Sequence, residues 1–301
     1  MIRIGIIGAG FVGATHAQAF AEEGFDIKVY DINKKYYERF PQFDRLPKIS
    51  SFNEVIGESE IIYICLPTPP YFYGENGECG ECNTDIVEEI LGEIDDRALT
   101  GGCIDICIKS TIPVGRTLEC SRTYNNLNLH YSPEFLTEAM PLNDLKNASR
   151  IVIGYNYNGG QLCGNIMYSL EAINKNEDCH IIVCSTSEAE LIKLSSNSFL
   201  AMKVGFANFV YDMAEKHKMD YTNVRIGMGT DVRIGPSHLK VPGIDGKRGF
   251  SGSCFPKDIG NLISCAEEVN VNCKFLKNIE KRNIETRNDS DWIDNKYRKK
   301  Q

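Results

Sequence analysis

The chain has 301 residues, and at roughly 150 residues per domain this length suggests two domains. Hydrophobic residues make up 42% and charged residues 25% of it, which is ordinary for a globular protein and gives no support to a disordered, collagen-like or coiled-coil chain. The formal net charge of −8 repels phosphate backbones and anionic lipid, so we expect no binding to nucleic acid or to a membrane. No apolar run approaches the roughly 20 residues that span a bilayer, and no secretory signal is present, so the sequence predicts a cytoplasmic protein.

The first 31 residues contain the pattern of a strand, a tight turn, a helix and a second strand. An apolar run at 2–8 leads into a G-x-G-x-x-G turn, and the second strand ends at Asp31. Gly8 permits the turn, Gly10 lets backbone amides approach a pyrophosphate, and Gly13 allows close packing of helix and strand. Asp31, 18 residues after Gly13, can accept hydrogen bonds from ribose hydroxyls and would repel a 2′-phosphate. The pattern predicts that NAD is the cofactor and that the residues binding it include Gly8, Gly10, Phe11, Val12, Gly13 and Asp31.

Five more strand-like runs follow, separated by segments of helix length: 60–67, 103–110, 128–132, 150–154 and 180–184. This alternation predicts an α/β fold, a Rossmann-like doubly wound parallel sheet. Ligands of such sheets bind beyond the carboxyl ends of the strands. Three of these ends carry proline or polar turns, at 67–69, 110–111 and 132–134, and we expect them to line one crevice.

The pattern changes near Ser187, where a long helix is predicted to begin. Ser187 and Glu190 are spaced as a capping box, and about 30 residues of largely apolar helix indicate burial against a second domain or subunit. We place the domain boundary near residue 185, with an NAD-binding Rossmann-like domain at 1–185 and a smaller, mainly helical domain at 186–301. Lys193 and Asn197 are four residues apart on the helix and therefore share one face.

Cys254 is the candidate nucleophile of the second domain. It follows a glycine-rich loop at 243–252 and precedes a predicted helix with Pro256 in its first turn. A thiolate at a helix N-terminus is stabilised by the helix dipole, and Lys257 and Lys193 can add positive charge. The other eleven cysteines lack such surroundings, and several lie in apolar runs where a reduced thiol acts as a small hydrophobe.

Other residues of reactive type form no convincing site. Cys79 and Cys82 make a C-x-x-C in a predicted polar loop, but no second pair or suitably spaced histidine accompanies them, so we expect no metal site. The five histidines form no ligand cluster, and we expect each on a helix face or at the surface. The tail at 280–301 mixes charges of both signs and is compatible with a frayed helix, a solvated end or a docking segment.

Seven blocks in a fixed order resemble the UDP-glucose/GDP-mannose dehydrogenase family: GAGFVG, LPTP, KSTIPVG, SPEFLTE, AELIKLSSNSFLAMK, DVRIG and GFSGSCFPKD. The match runs from residue 2 to about 265, and GSCFPKD and PEFLTE are its most specific blocks. The family oxidises the C6 alcohol of a nucleotide-linked hexose to the carboxylate and reduces two NAD in succession. The resemblance implies an NAD-dependent nucleotide-sugar 6-dehydrogenase that makes a uronic acid, with UDP-glucose as the first choice of substrate.

The resemblance also implies a role for each catalytic residue. Cys254 would capture the aldehyde as a thiohemiacetal, which a second oxidation converts to a thioester. Lys193 and Asn197 would stabilise the oxyanions at C6, and Asp258 would order and help activate water.

The remaining implied residues serve proton transfer, the cofactor or the substrate. The residues expected in proton transfer and hydrolysis are Thr111, Glu134 and Glu138. Further cofactor contacts are expected from Thr68, Ser110 and Lys257. Arg233 and Lys240 would bind the substrate, and because the family's counterpart of Arg233 reaches into a neighbouring subunit's site, a homodimer is implied.

Two departures from the family pattern leave alternatives open. Ser251 replaces the first glycine of the pair that precedes the cysteine region, and the chain ends where the family's third, nucleotide-gripping domain would begin. A shortened natural form, completion of the site by another chain, and a fragment or decayed copy are all compatible with this end. Two other functions also stay open: a one-step NAD-dependent dehydrogenase of a small β-hydroxy acid, which does not need Cys254, and a non-catalytic NAD-binding remnant.

Overall fold

A computed structural model describes residues 1–73, 78–98, 103–137 and 139–287. Its strands are β1 (Arg3–Ile7), β2 (Asp26–Tyr30), β3 (Ile61–Ile64), β4 (Pro70–Tyr73), β5 (Glu78–Cys82), β6 (Ile104–Ile108), β7 (Leu127–Tyr131), β8 (Arg150–Tyr155) and β9 (His180–Ser185). Its α-helices are α1 (Phe11–Glu22), α2 (Phe52–Glu58), α3 (Asp85–Ala98), α4 (Arg116–Thr123), α5 (Pro141–Lys146), α6 (Gly164–Ile173), α7 (Thr186–Lys216), α8 (Tyr221–Gly229), α9 (Phe255–Glu268) and α10 (Lys274–Arg287).

The chain divides into two compact units. The first comprises Met1–Thr68 and Asn83–Lys193, and the second comprises Pro69–Cys82 and the chain from Leu194 onward. The boundary predicted near residue 185 lies a few residues before this division. The sequence did not predict that segment 69–82 belongs with the second unit.

The first unit is built on a seven-stranded sheet in the order β2-β1-β3-β6-β7-β8-β9. All seven runs predicted as strands form this sheet, which confirms the Rossmann-like α/β class. Alternation along the strands fills a core on each face: Ile4 and Ile6 pack with Phe20 of α1, whereas Ile7 packs with Leu91 of α3. The sheet is therefore covered by helices on both faces, as predicted for a doubly wound fold.

One strand pairing differs from the predicted parallel sheet. β7 and β8 are antiparallel, paired at His130 with Tyr155 and at Tyr131 with Gly154, whereas the other neighbouring strands are parallel. The link between them contains only the six-residue α5, about 9 Å long, whereas a five-residue strand spans roughly 17 Å. Such a short helix does not carry the chain back along the sheet, so β8 runs in the opposite direction.

The second unit contains α7 from Leu194 onward, the complete helices α8, α9 and α10, and the β4–β5 hairpin. Its apolar core includes Ala201 of α7, Ile259 and Ile263 of α9, and Leu276 of α10. Among the described residues, no helix combines the length and the apolar character needed to cross a bilayer.

The long helix begins one residue earlier than predicted, and its capping box is a different pair. Ser185 Oγ accepts from the Glu188 amide at 3.2 Å, and Glu188 Oε2 accepts from the Ser185 amide at 2.7 Å. The predicted pair of Ser187 and Glu190 is wrong, because β9 runs directly into α7 and both residues already lie inside the helix. Glu190 is instead fully buried.

Candidate active site

The glycine turn between β1 and α1 has the close packing that its sequence predicts. Gly8 has a φ of +91°, a left-handed conformation that favours glycine. A Cβ on Gly13 would lie 1.9 Å from the Gly8 carbonyl oxygen, so only glycine fits there. A Cβ on Gly10 would meet no atom within 4 Å, which leaves this side of the turn open to a ligand. Phe11 and Val12 form the first turn of α1, whose free amides suit a pyrophosphate.

Asp31 lies at the same turn. Its Oδ2 accepts a hydrogen bond from the Ala9 amide at 2.6 Å, and its Oδ1 accepts from the Asn33 amide at 2.7 Å. The carboxylate that was predicted to contact a ribose is thus held beside the glycine turn by two backbone amides. Together the open turn and the adjacent acid fit a dinucleotide cofactor.

The ends of β3 and β6 are joined by short hydrogen bonds. Thr68 Oγ1 donates to the Thr111 carbonyl oxygen at 2.6 Å, and Ser110 Oγ donates to the Leu66 carbonyl oxygen at 2.8 Å. Thr68 and Ser110 are each 7% exposed. These contacts bring together the first two of the three strand-end turns that the sequence selected.

A buried ionic cluster lies at the end of β7. The Glu134 carboxylate is 3.0 Å from His16 Nε2 and forms an ion pair with Lys109, whose ammonium also donates to Ser132 Oγ at 3.0 Å. Burial raises the pKa of Glu134, but the Lys109 ammonium and His16 outweigh this effect and lower the pKa to about 2. Glu134 is therefore an ionised and weakly basic carboxylate at neutral pH.

Lys193 reaches the same loop from α7. Its ammonium donates a hydrogen bond to the Glu134 carbonyl oxygen and lies 5.2 Å from the centre of the Phe135 ring. The side chain is buried, and Lys193 is only 8% exposed. A surface lysine would extend its ammonium into solvent, whereas the Lys193 side chain is buried. This burial favours a functional role for Lys193.

Cys254 lies at the N-cap of α9 and is exposed. Its carbonyl oxygen accepts from the Asp258 amide at 2.8 Å, which closes the first helical turn, and Pro256 occupies that turn as predicted. Its thiol is 3.7 Å from Ser253 Oγ. The thiol makes no cap hydrogen bond to the α9 amides, but it lies at the positive end of the helix dipole and is open to a reactant.

Asp258, one turn into α9, is completely buried between two partners. Its Oδ2 accepts from Asn197 Nδ2 at 2.5 Å, and its Oδ1 is 3.2 Å from the Lys257 ammonium. Burial lowers the pKa of Lys257, but the Asp258 carboxylate and the Cys82 and Cys254 thiols outweigh it and raise the pKa above its ordinary value. Four of the predicted residues are therefore neighbours in the second unit: Asn197, Cys254, Lys257 and Asp258.

The loop that precedes Cys254 is held by α10. Asn283 accepts from the Phe250 amide at 2.7 Å and donates to the Phe250 carbonyl oxygen at 2.9 Å. Arg287 forms an ion pair with Asp245 at 2.7 Å. Of the tail at 280–301, residues 280–287 thus belong to α10 and support the cysteine loop, and the rest, with Trp292, lies outside the described residues.

The two predicted substrate residues lie on the surface. Arg233 forms an ion pair with Asp231 at 2.6 Å while its side chain stays 86% exposed, and Lys240 is exposed. Glu138 lies outside the described residues.

The sequence suggested that the C-x-x-C pair lies in a polar loop, but the structure places it on a strand. Cys79 and Cys82 are 6% and 1% exposed, on β5, and β5 packs on α9. Burial raises the pKa of Cys82 to about 12, so this thiol is inert at neutral pH. In an extended strand two residues three positions apart are roughly 10 Å from each other, too far for a disulfide.

Sequence interpretation missed three residues that organise the site. Lys109 and His16 surround Glu134, and Asn283 holds the cysteine loop. Lys109 gave a signal, because it is a charge at the end of an otherwise apolar strand. His16 and Asn283 gave no signal, because each is defined by a partner that is distant in the sequence. The expectation that each histidine lies on a helix face or at the surface is wrong for His130, which is fully buried on β7.

The sheet, the glycine turn and the acid at the end of β2 define an NAD-binding protein of the Rossmann class. The chain belongs to the UDP-glucose/GDP-mannose dehydrogenase family, whose NAD binding domain matches residues 34–170 and whose central domain matches residues 187–285. Residues 3–44 also match the NAD binding domain of 3-hydroxyacyl-CoA dehydrogenase. The family resemblance and the choice of NAD are thereby confirmed.

Relatives with known names match nearly the whole chain. The UDP-glucose 6-dehydrogenase of Campylobacter jejuni is 31% identical over 300 residues, which cover 94% of this chain and 72% of that enzyme. The UDP-glucose 6-dehydrogenase of Pseudomonas aeruginosa is 30% identical over a match that covers 94% of this chain and 65% of that enzyme. The structure of a UDP-glucose dehydrogenase from Pyrobaculum islandicum has a TM-score of 0.77 at 27% identity and matches 94% of this chain and 68% of that one. The chain thus spans about two thirds of the length of these relatives.

Proposed function

We propose that the chain oxidises the C6 alcohol of a nucleotide-linked hexose, UDP-glucose first among them, to the uronic acid in two steps through Cys254. The observation that carries the proposal is the exposed Cys254 thiol at the N-cap of α9, one turn from the buried pair of Asn197 and Asp258. A one-step alcohol oxidation needs no such thiol, whereas the second oxidation of an aldehyde needs either hydration or covalent capture. The UDP-glucose 6-dehydrogenase names of the two relatives support the substrate.

Each oxidation removes a hydride from C6 and a proton from the oxygen that is bound to C6. NAD, when bound at the glycine turn, accepts the hydride, so two molecules are reduced per sugar. Between the oxidations the Cys254 thiolate adds to the aldehyde carbon and forms a thiohemiacetal, which becomes a thioester when it is oxidised. Water then cleaves the thioester to the carboxylate and returns the free thiol.

The other residues position and stabilise. Asn197 and Lys193 supply amide and ammonium donors for the oxyanions at C6, and Asp258 accepts a proton from the attacking water. The low pKa makes Glu134 a poor base, so we assign to it the ordering of Lys109 and His16 and leave proton transfer at the strand ends to Thr111 and Glu138. Arg233 and Lys240 are exposed and available to the substrate's phosphates.

The test is anaerobic turnover with UDP-glucose, GDP-mannose and a small β-hydroxy acid, in which NADH is counted per product formed. We expect two NADH for each UDP-glucose and no uronic acid from Cys254→Ala. One NADH from the β-hydroxy acid, unchanged in Cys254→Ala, would instead establish a one-step dehydrogenase. Binding of NAD without turnover of any of these substrates would establish a non-catalytic protein.

We also propose that the chain forms a homodimer in which a second copy binds to the second unit. An apolar stripe on α7 is exposed, with Phe199, Phe206, Phe209 and Met213 between 46% and 62% accessible. Four large apolar side chains at helical spacing on one face are typical of an interface. Sedimentation should show that the wild type is a dimer and that Phe206→Glu dissociates it. Phe275→Glu, the same change at an exposed phenylalanine of α10, is the control and should leave the dimer intact. A wild-type monomer would contradict the proposal.

A further inference from the structure

A buried carboxylate near the start of α7 joins this helix to the loop that follows β6. Glu190 is fully buried, and its Oε2 accepts from the Gly115 amide at 2.5 Å. Its Oε1 accepts from the Thr117 amide at 2.9 Å and from Thr117 Oγ1 at 2.5 Å. Amides at the start of a helix have no partner within it, so Glu190 satisfies donors that would otherwise be buried unpaired at the N-terminus of α4.

This loop, residues 109–117, contains Thr111 and is fixed at both ends. Near its start, Thr68 and Ser110 make the hydrogen bonds between the ends of β3 and β6 that are described above. At its far end, three hydrogen bonds to Glu190 join it to α7. Loss of the carboxylate would remove all three of these hydrogen bonds from the far end of the loop.

The same turn of α7 also holds the next strand-end loop. Lys193 follows Glu190 by three residues, on the same face of the helix, and donates to the Glu134 carbonyl oxygen. The start of α7 is itself fixed against β8, because a Cβ on Gly154 would lie 2.8 Å from the Thr186 Cα. Glu190 and Lys193 thus anchor two neighbouring loops, after β6 and after β7, to one rigid helix.

We propose that Glu190 is a positioning residue of the active site, which fixes Thr111 relative to Lys193 without touching substrate. The inference rests on the proposed function, since it concerns residues assigned to that reaction. Glutamine has nearly the same shape but presents an amide NH₂ on one side, which would face either the Gly115 or the Thr117 amide as a second donor. A displacement of about 1 Å at reacting groups costs on the order of 100-fold in rate, so a small shift of the loop has a large effect.

The test compares Glu190→Gln and Thr117→Val with Glu188→Gln, which removes an exposed charge from the same turn of α7. Hydrogen exchange of the Gly115 and Thr117 amides reads the contact without any turnover, and we expect it to be at least roughly 10-fold faster in Glu190→Gln. With UDP-glucose, kcat should fall about 10-fold or more while KM for NAD changes less than about 3-fold, because the glycine turn is not touched. Thr117→Val should change both readouts in the same direction by less, and Glu188→Gln should change neither.

A folded Glu190→Gln with wild-type kcat beside an active wild type would overturn the positioning role alone. Amide exchange equal to that of Glu188→Gln would overturn it as well. If Glu190→Gln does not fold, the same two readouts on Thr117→Val decide. A wild-type protein that oxidises no nucleotide sugar would overturn the proposed function and, with it, the positioning role.

Discussion

The two compact units hold their candidate residues in different ways. In the first unit Thr68, Thr111 and Glu134 follow the ends of neighbouring strands, so the sheet itself brings them together. In the second unit Cys254 begins α9, a helix that depends on elements far away in the chain: Asn261 accepts from the Cys82 amide 179 positions earlier. Regular backbone pairing organises the first group, whereas a few close packing contacts organise the second.

This difference predicts where substitutions do most harm. The contact of α9 with β5 is a backbone approach without spare room, since a Cβ on Gly260 would lie 2.2 Å from the Cys79 carbonyl oxygen. We therefore expect a single added methyl group at this contact to have a large effect on stability.

Gly260→Ala should lower the free energy of unfolding by about 3 kcal/mol or more, because the helix must move away from the hairpin. Urea unfolding measures the effect. Gly205→Ala is the matched control: it also lies in a helix, its added Cβ would be 3.6 Å from the nearest Ile279 atom, and it should stabilise by about 0.5–1 kcal/mol. Equal stability of the two variants would contradict the close approach of α9 to β5.

Glu134→Gln tests the ionic cluster of the first unit. The folded pKa of about 2 lies below the ordinary 4.5, so the carboxylate contributes stability that is present above pH 4.5 and is lost as the pH falls toward 2. At pH 7 the variant should be less stable by about 3 kcal/mol, and the difference should shrink as the pH is lowered. Urea titrations from pH 3 to 7, with the exposed Glu93→Gln as control, measure this trend; a difference independent of pH would contradict it.

Glu190→Gln should show the opposite dependence on pH. Burial raises the pKa of Glu190 to about 7, although the hydrogen bonds from Thr117 and Gly115 lower it. The stability from its protonated form is present below pH 4.5 and is lost as the pH rises through 7, by up to about 3 kcal/mol. The variant lacks this loss, so its stability relative to wild type should increase from pH 4.5 to pH 8, and a decrease would contradict the assignment.

Ser185→Ala should have the smallest effect, a loss of about 1 kcal/mol from the removed cap of α7. Ser187→Ala should cost less, since this residue is already inside the helix. Thermal unfolding of the two variants compares them directly. A larger loss from Ser187→Ala would restore the capping box first predicted from the sequence.

Local patterns predicted most of the first unit. The strands follow from runs of apolar residues, and the glycine turn follows from the spacing of Gly8, Gly10 and Gly13. The antiparallel β8 was not predictable in this way, because strand direction depends on whether the preceding link crosses the sheet. Glu190 was assigned to the wrong cap because its spacing from Ser187 is local, whereas its real partners, Gly115 and Thr117, lie more than seventy residues away.

In the second unit, the candidate nucleophile was easier to predict than the packing contacts that hold it in place. Cys254 was identifiable from its glycine loop and Pro256, and the structure places it at the start of a helix and exposed. The hairpin that packs on α9 and the Asn283 contact to Phe250 were not predictable, because neither has a periodic or spaced signature. Side-chain packing between distant segments leaves little trace in a single sequence.

The most direct test of the central claim is mass spectrometry of the peptide that contains Cys254. Asp258→Asn should slow thioester hydrolysis, so after incubation with NAD and UDP-glucose we expect this peptide to carry the mass of the sugar-nucleotide acyl group, removable by hydroxylamine. The Cys254→Ala chain should show neither the adduct nor uronic acid. Production of uronic acid by Cys254→Ala, with no adduct in Asp258→Asn, would contradict the account.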